Sequence, residues 1–341
     1  MASKWILRKG SKERGFGYAA PNGKILRSRS ELDRIDALRI PPAWREVHIA
    51  ASPRTAIQAW GLDARGRKQY RYHARAVEKG EMRKHYRVRE MARDLPRIRS
   101  RLNRDFRKRG LSREKVCAGI LRLIADGFFR VGSEKYERDN NTFGITTLRK
   151  KHVSFDGESA VFEYVGKRSI KQRHVIDSPD LVRFIRQLLK TPGSRLFRYE
   201  SEGQWIDVDA RDVNEYLQSV ASFPYTAKDF RTWGGTLRAA TVLADLGKGK
   251  SANERKKNVV TAVRLVAAEL GNTPAICRKS YVHPIIIARY LKSGAIIHPE
   301  SKSKKSVRES RAPFAHSAEE RSLIAFLDEH FPERRSERRD E

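Results

Sequence analysis

The chain has 341 residues, with 72 Lys+Arg against 41 Asp+Glu and a formal net charge of +31. A chain this cationic repels itself unless a polyanion neutralises it, and the positive charge runs along most of the sequence, so nucleic acid is the leading partner. An anionic membrane surface is the weaker reading, because the basic stretches lack a long apolar face, and no apolar run approaches the ~18 residues of a membrane-crossing helix.

Residues 1 to about 85 hold Gly15, Gly17, Gly23, Pro21, Pro41, Pro42 and Pro53 among short apolar runs such as WREVHIAAS and TAIQAWGL. Short alternating runs separated by turn residues predict a small strand-rich domain. The opening, MASKWILRKGSKERG, has no apolar signal region, so a cytoplasmic, nucleoid-associated protein is expected. From about residue 86 the pattern becomes helical, and the stretch 78–110 reads as a basic helical bridge. Ser112 suits an N-cap for a helix to about Phe129, with Val116, Ile120, Leu121, Ile124 and Phe128 on one face. A β interlude follows in HVSFDG, AVFEYVG and QRHVIDS, where Asp156-Gly157 marks one hairpin turn and Gly166 opens another. Helices return in PDLVRFIRQLL, DVNEYLQSV, KDFRTWGGTLRAATVLA and NVVTAVRLVAAEL, the last ended by Gly271. Within residues 295–341 the charged stretch ESKSKKSVRESR is expected to be a flexible basic linker. It leads to HSAEERSLIAFLDEHF, whose Leu323, Ile324, Leu327 and Phe331 suit a short amphipathic helix that docks back. Cys117 and Cys277 have no metal-ligand spacing and read as reduced thiols, and the nine histidines have no CxxC or HExxH companion. No metal site is expected.

Four places could bind phosphate. Arg130 leaves an apolar helix in FFRVGSEKY, and Lys167 sits at a hairpin tip in YVGKRSIKQ; alone, each suits an ordinary surface residue. In TAKDFRTWGG, Thr226 suits a helix cap, and the first turn carries Lys228, Asp229 and Arg231. Arginine there suits an external anion better than the helix dipole. In GNTPAICRKSYVHP, Asn272 lies in the turn after a long helix, and Tyr281 follows among cations.

The order and wording of these strings, with RIDALRIPPAWREVHIA, GLDARGRKQYRYH and NTFGITTLRKKHV, resemble the type IB DNA topoisomerases from about Ser11 to Gly294. The likeness is to the compact bacterial and poxvirus-like branch. It implies an α+β protein: a small β-rich N-terminal DNA-binding domain over 1–85, a larger, mostly α-helical catalytic domain with a small antiparallel sheet over 86–294, and the two forming a clamp around DNA. It also implies a catalytic set of Arg130, Lys167, Arg231, Asn272 and Tyr281. The two arginines supply fixed, planar, always-charged donors to the non-bridging oxygens of a phosphodiester. Asn272 adds a neutral donor. A phenol, with an ordinary pKa of ~10, is a weak nucleophile at neutral pH, and guanidinium neighbours favour its phenolate. Lys167 is the general acid for the 5′ oxygen, and Tyr281 becomes a 3′-phosphotyrosyl ester. No ATP, metal or other cofactor and no protein partner is implied, so the protein is expected to act on double-stranded DNA as a monomer.

Asn272 departs from the poxvirus pattern, which has histidine there; asparagine neither carries a charge nor relays a proton, though bacterial members also have it. Ser133 and Glu134 replace basic or apolar character in the poxvirus loop, so strict sequence specificity is not carried over. The resemblance further implies DNA contacts from Gln69, Tyr70, Tyr72 and Tyr136. On a strand, Gln69 and Arg71 face one way and Tyr70 and Tyr72 the other, which also fits a half-buried strand with its tyrosines in the core. Two rivals stand beside this reading. A tyrosine recombinase-like strand transferase uses similar catalytic residues, but no HxxR motif is present. A non-catalytic basic DNA-binding protein would explain the charge, but not the Arg–Lys–Arg–Asn–Tyr order.

Overall fold

A computed structural model describes residues 5–299 and 314–331, and the chain divides into two compact units, Met1–Lys84 and His85–Glu341. In the first, five antiparallel strands lie in the order β2-β1-β3-β4-β5: β1 (Trp5–Ser11), β2 (Gly15–Ala19), β3 (Arg45–Ala50), β4 (Ile57–Leu62) and β5 (Lys68–Tyr72). Register sets Ile6 opposite Ile49 and Ile49 opposite Ala59. That face packs with Val47 against Ile35 of helix α1 (Arg29–Ala37). Because side chains alternate along a strand, His48, Trp60 and Tyr70, also aligned in register, fall on the opposite face. There the His48 and Trp60 rings stack at 3.9 Å, and Lys68 Nζ lies 3.8 Å above Trp60. Helix α1 was not expected. Its only buried residue is Ile35, so the stretch carries almost no apolar periodicity.

The second unit is mostly helical, as expected for an α+β chain. Helix α2 (Ala74–Phe106) begins ahead of the composition change near residue 86. Its Val88, Met91, Ala92, Leu95, Ile98 and Leu102 recur at helical spacing and are buried. Pro96 lies inside it and lacks an N–H, which orphans the Ala92 carbonyl one turn earlier. His316 Nε2 donates to that carbonyl at 2.6 Å, so a distant segment supplies the missing bond.

Helix α3 (Arg113–Gly127) has Ser112 as N-cap, its Oγ accepting the Lys115 N–H at 3.4 Å, as expected. Then come α4 (Glu134–Asn140) and the antiparallel sheet of β6 (Val153–Asp156), β7 (Ser159–Val165) and β8 (Lys171–Ile176). Both expected hairpin turns are present. After α5 (Pro179–Leu189) comes a hairpin that was not foreseen, β9 (Arg198–Ser201) with β10 (Gln204–Asp207). The remaining helices are α6 (Ala210–Val220), α7 (Ala227–Leu246), α8 (Ala252–Glu269), α9 (Pro274–Ser280), α10 (Pro284–Ser293) and α11 (Ala318–His330).

One apolar core runs from Val88 to Leu327. As expected, α11 docks through Leu323 and Leu327, with Phe331 buried and Ile324 partly so. Its buried Glu320 takes two bonds from Arg99, at 2.9 and 2.6 Å, and one from Trp233 of α7 at 3.4 Å. The stretch ESKSKKSVRESR lies outside the described residues. Cys117 and Cys277 are buried free thiols, pushed up by burial to about 12 and about 11.

Candidate active site

Arg130, Lys167, Lys228, Arg231, Asn272 and Tyr281 line one cleft of about 320 Å³ in the second unit. All five residues expected to be catalytic are therefore brought together from across the unit. Arg130 follows the end of α3, where Phe128 takes a left-handed conformation (φ 54°) and turns the chain out of the helix. Its Nη2 donates to Gly271 O at 2.6 Å and Asn272 Oδ1 at 2.8 Å, and its Nη1 to Gln172 Oε1 at 3.2 Å.

Arg231 lies one turn inside α7 rather than in its first turn, so the argument from the helix start does not reach it. That helix start is served instead by Asp229, which accepts the Thr226 N–H at 2.8 Å and is clamped by Arg87 at 2.9 and 3.0 Å. Arg231 is only 3% exposed, and its Nη2 donates to Leu270 O at 2.9 Å. Burial lowers its pKa to about 10, with Arg130 adding to the fall and Tyr281 opposing it. It therefore stays charged at neutral pH.

Both guanidinium groups rest on Leu270 O and Gly271 O, just past α8. A helix C-terminus carries partial negative charge and unpaired carbonyls, which favour cations. These partners are neutral, so they fix the guanidinium groups without cancelling their charge. Two buried donors at the cleft, Arg231 Nε and Asn272 Nδ2, have no hydrogen-bond partner among the described residues. A buried unpaired donor costs roughly 1–3 kcal/mol, a cost that an oxyanion bound in the cleft would offset.

Tyr281 ends α9, and its ring centroid lies 5.3 Å from Arg231 Cζ. Thr236 Oγ1 of α7, which donates to Thr232 O at 2.8 Å, lies 3.3 Å from the Tyr281 carbonyl oxygen and accepts the His283 N–H at 3.1 Å. Pro284 then opens α10 at a position where a missing N–H costs nothing. The tyrosine thus sits in the break between two short helices, fastened by its backbone to the helix that carries Arg231. Lys167 is exposed, at the turn between β7 and β8. Arg168 and Ser169 in that turn have φ of 65° and 58°.

Behind the cleft, His174 Nε2 and Tyr164 Oη lie 3.1 Å apart under the Phe129 ring. Burial, aided by Arg231 and Arg130, lowers the His174 pKa to about 4. Sequence reasoning assigned no role to this pair, to Lys228 or to Gln172. The only signal was that Gln172 closes the string GKRSIKQ.

The proposed DNA contacts fall on exposed positions, with one qualification. Tyr70 and Tyr72 are 39% and 52% exposed and stack at 5.8 Å, so the reading that buries them in a core fails. Gln69 is half-buried, and its Nε2 already donates to Asp63 Oδ2 at 3.0 Å. Tyr136 on α4 is 50% exposed. Glu134 lies in the first turn of α4, where the helix dipole favours it.

Residues 73–306 match the family described as eukaryotic DNA topoisomerase I, catalytic core, and residues 15–63 match bacterial DNA topoisomerase IB, N-terminal domain. The chain is 33% identical over 285 residues to DNA topoisomerase 1B of Acanthamoeba polyphaga mimivirus, covering 81% of this chain and 84% of that one. It is 26% identical over 236 residues to DNA topoisomerase 1B of Vaccinia virus (strain Copenhagen), covering 67% and 70%. It is 28% identical over 239 residues to DNA topoisomerase 1 of Rabbit fibroma virus (strain Kasza), covering 65% and 68%. The chain belongs to the type IB DNA topoisomerases. It is a DNA-binding isomerase, and no helix among the described residues is long and apolar enough to cross a membrane.

Proposed function

We propose that the enzyme cuts one strand of duplex DNA through Tyr281, lets the free end rotate, and reseals it without ATP or metal. The scissile phosphate sits between Arg130, Arg231 and Asn272. The Tyr281 hydroxyl gives up its proton to water as its oxygen attacks phosphorus, the P–O5′ bond breaks, and Lys167 gives the departing 5′ oxygen a proton. The resulting 3′-phosphotyrosyl ester keeps the energy of the broken bond, so reversal by the 5′ hydroxyl needs no cofactor. The arginines and Asn272 take up the charge that develops on the non-bridging oxygens. Toward the phosphate Asn272 acts through its Nδ2 donor, its Oδ1 being engaged by Arg130, so its site adds no titration to the rate profile.

The observation that carries this reading is the pair of unpartnered buried donors, Arg231 Nε and Asn272 Nδ2, in the cleft that Tyr281 lines. The catalytic domain spans 86–294, and the β-rich domain, 1–85, adds DNA contacts through Tyr70 and Tyr72, with Gln69 reading bases only if it leaves Asp63. Tyr136 adds a phosphate contact, and the segment 295–341 supports the catalytic domain through α11. The enzyme works as a monomer on cytoplasmic, nucleoid-associated DNA. The test is relaxation of supercoiled plasmid by pure protein in EDTA without ATP. Complete relaxation in small linking-number steps is expected; an unchanged plasmid contradicts the proposal.

A further inference from the structure

Gln172 stands behind the cleft and joins three of its parts. It is 7% exposed and lies on β8. Its Oε1 accepts from Arg130 Nη1 at 3.2 Å, while its Nε2 donates to Lys171 O at 3.2 Å and Ile170 O at 3.4 Å. Chemistry sets the direction of this amide, because a guanidinium only donates and a carbonyl only accepts. Ile170 O also accepts the Gly166 N–H at 2.8 Å, closing the turn that holds Lys167.

The Gln172 side chain passes between two glycines. A Cβ on Gly166 would lie 2.7 Å from Gln172 Cγ, and one on Gly271 would lie 2.3 Å from Gln172 Oε1. Gly271 also has φ +59°, and its carbonyl holds Arg130. The turn that Gln172 anchors carries two non-glycine residues in the left-handed region, Arg168 and Ser169. That conformation is costly and persists only when its surroundings hold it.

We infer that Gln172 is a positioning residue that couples the Lys167 turn to Arg130. Through it, the lysine meets the leaving oxygen in register with the phosphate that Arg130 holds. This rests on the roles proposed above for Arg130 and Lys167.

Gln172→Met keeps the length of the side chain and removes both polar ends. The measurement is single-turnover cleavage of a duplex with either the ordinary 5′ oxygen or a 5′-thiolate leaving group, which needs no proton. The variant is expected to lose roughly 30-fold with the oxygen and about threefold with the thiolate, a part of the ~10²–10⁴-fold that a general acid supplies. In a Lys167→Ala background the same substitution is expected to cost only about threefold, because the lysine it positions is gone. Equal losses on the two substrates, or an undiminished loss in the Lys167→Ala background, would overturn the inference. Gly166→Ala serves as a second variant, since φ of −93° accommodates alanine while the new Cβ displaces Gln172. It should reproduce the leaving-group pattern, and it decides by the same criteria if Gln172→Met does not fold. Equal losses for Lys167→Ala itself on both substrates would count against the general-acid role. The double-mutant cycle would then judge Gln172 alone, with additivity overturning the coupling.

Discussion

The cleft around Tyr281 and the outer face of the N-terminal sheet both combine cations with tyrosine, but they hold them differently. In the cleft, Arg231 is 3% exposed, and Arg130 is tied to two side-chain and one backbone oxygen. On the sheet, Tyr70 and Tyr72 are 39% and 52% exposed and lean chiefly on each other and on Lys68. Displacement at phosphorus needs donors fixed before the charge appears, and burial against helix-end carbonyls provides that. Contact with DNA needs reach and tolerance, which exposed aromatic and cationic side chains provide.

Substitutions should separate the two regions, the largest effects coming from the cleft. Tyr281→Phe is expected to abolish the covalent adduct on denaturing gels while changing the filter-binding Kd by no more than about twofold, since one hydroxyl contributes little to a multi-phosphate contact. Arg231→Ala is expected to slow single-turnover cleavage by ~10²–10³-fold. Arg231→Lys should recover little of this, because an ammonium cannot match a planar guanidinium spread between Leu270 O and a phosphate. A near-normal rate for either variant would mean that burial in this cleft does not serve catalysis.

The next effect is on stability. His174 is held down to about 4, mainly by burial, against an ordinary 6.5. Between those values the unfolded chain binds more protons than the folded one. The contribution of His174 is therefore full above pH 6.5 and is lost as pH falls toward 4. A loss of about 3 kcal/mol is expected across that window. His174→Phe should flatten it in urea titrations; an unchanged slope would show that this histidine does not titrate there. The smallest effects belong to the sheet. Tyr70→Ala and Tyr72→Ala should change stability by within about 0.5 kcal/mol and weaken DNA binding by a few-fold. Once DNA is saturating, cleavage should be nearly unchanged; a large fall in that rate would erase the distinction between the two regions.

How much of this was legible before the structure differed by residue. Arg130, Lys167, Arg231, Asn272 and Tyr281 were found because their strings occur in a family's order, not because any one of them stands out. The Ser112 cap, the Asp156-Gly157 turn and the docking face of α11 were legible from local chemistry and spacing. Helix α1 was not, because a helix burying only Ile35 writes no apolar stripe. Helix α2 was legible as the basic helical bridge over 78–110, displaced by about one turn at each end. Gln172 was legible only as the last residue of a family string; its role was hidden because Arg130 and Gly271 reach it only when β8, the end of α3 and the end of α8 are packed. The His316 bond to Ala92 O is of the same kind, formed only when the segment before α11 packs against α2.

The central claim is that Tyr281 carries the DNA phosphate. The most direct test traps the adduct by rapid denaturation in EDTA without ATP, digests protein and DNA, and locates the nucleotide-bearing residue by mass spectrometry. A 3′-phosphate ester on the peptide containing Tyr281 is expected. A nucleotide on any other residue, or attached through a 5′ phosphate, would contradict it.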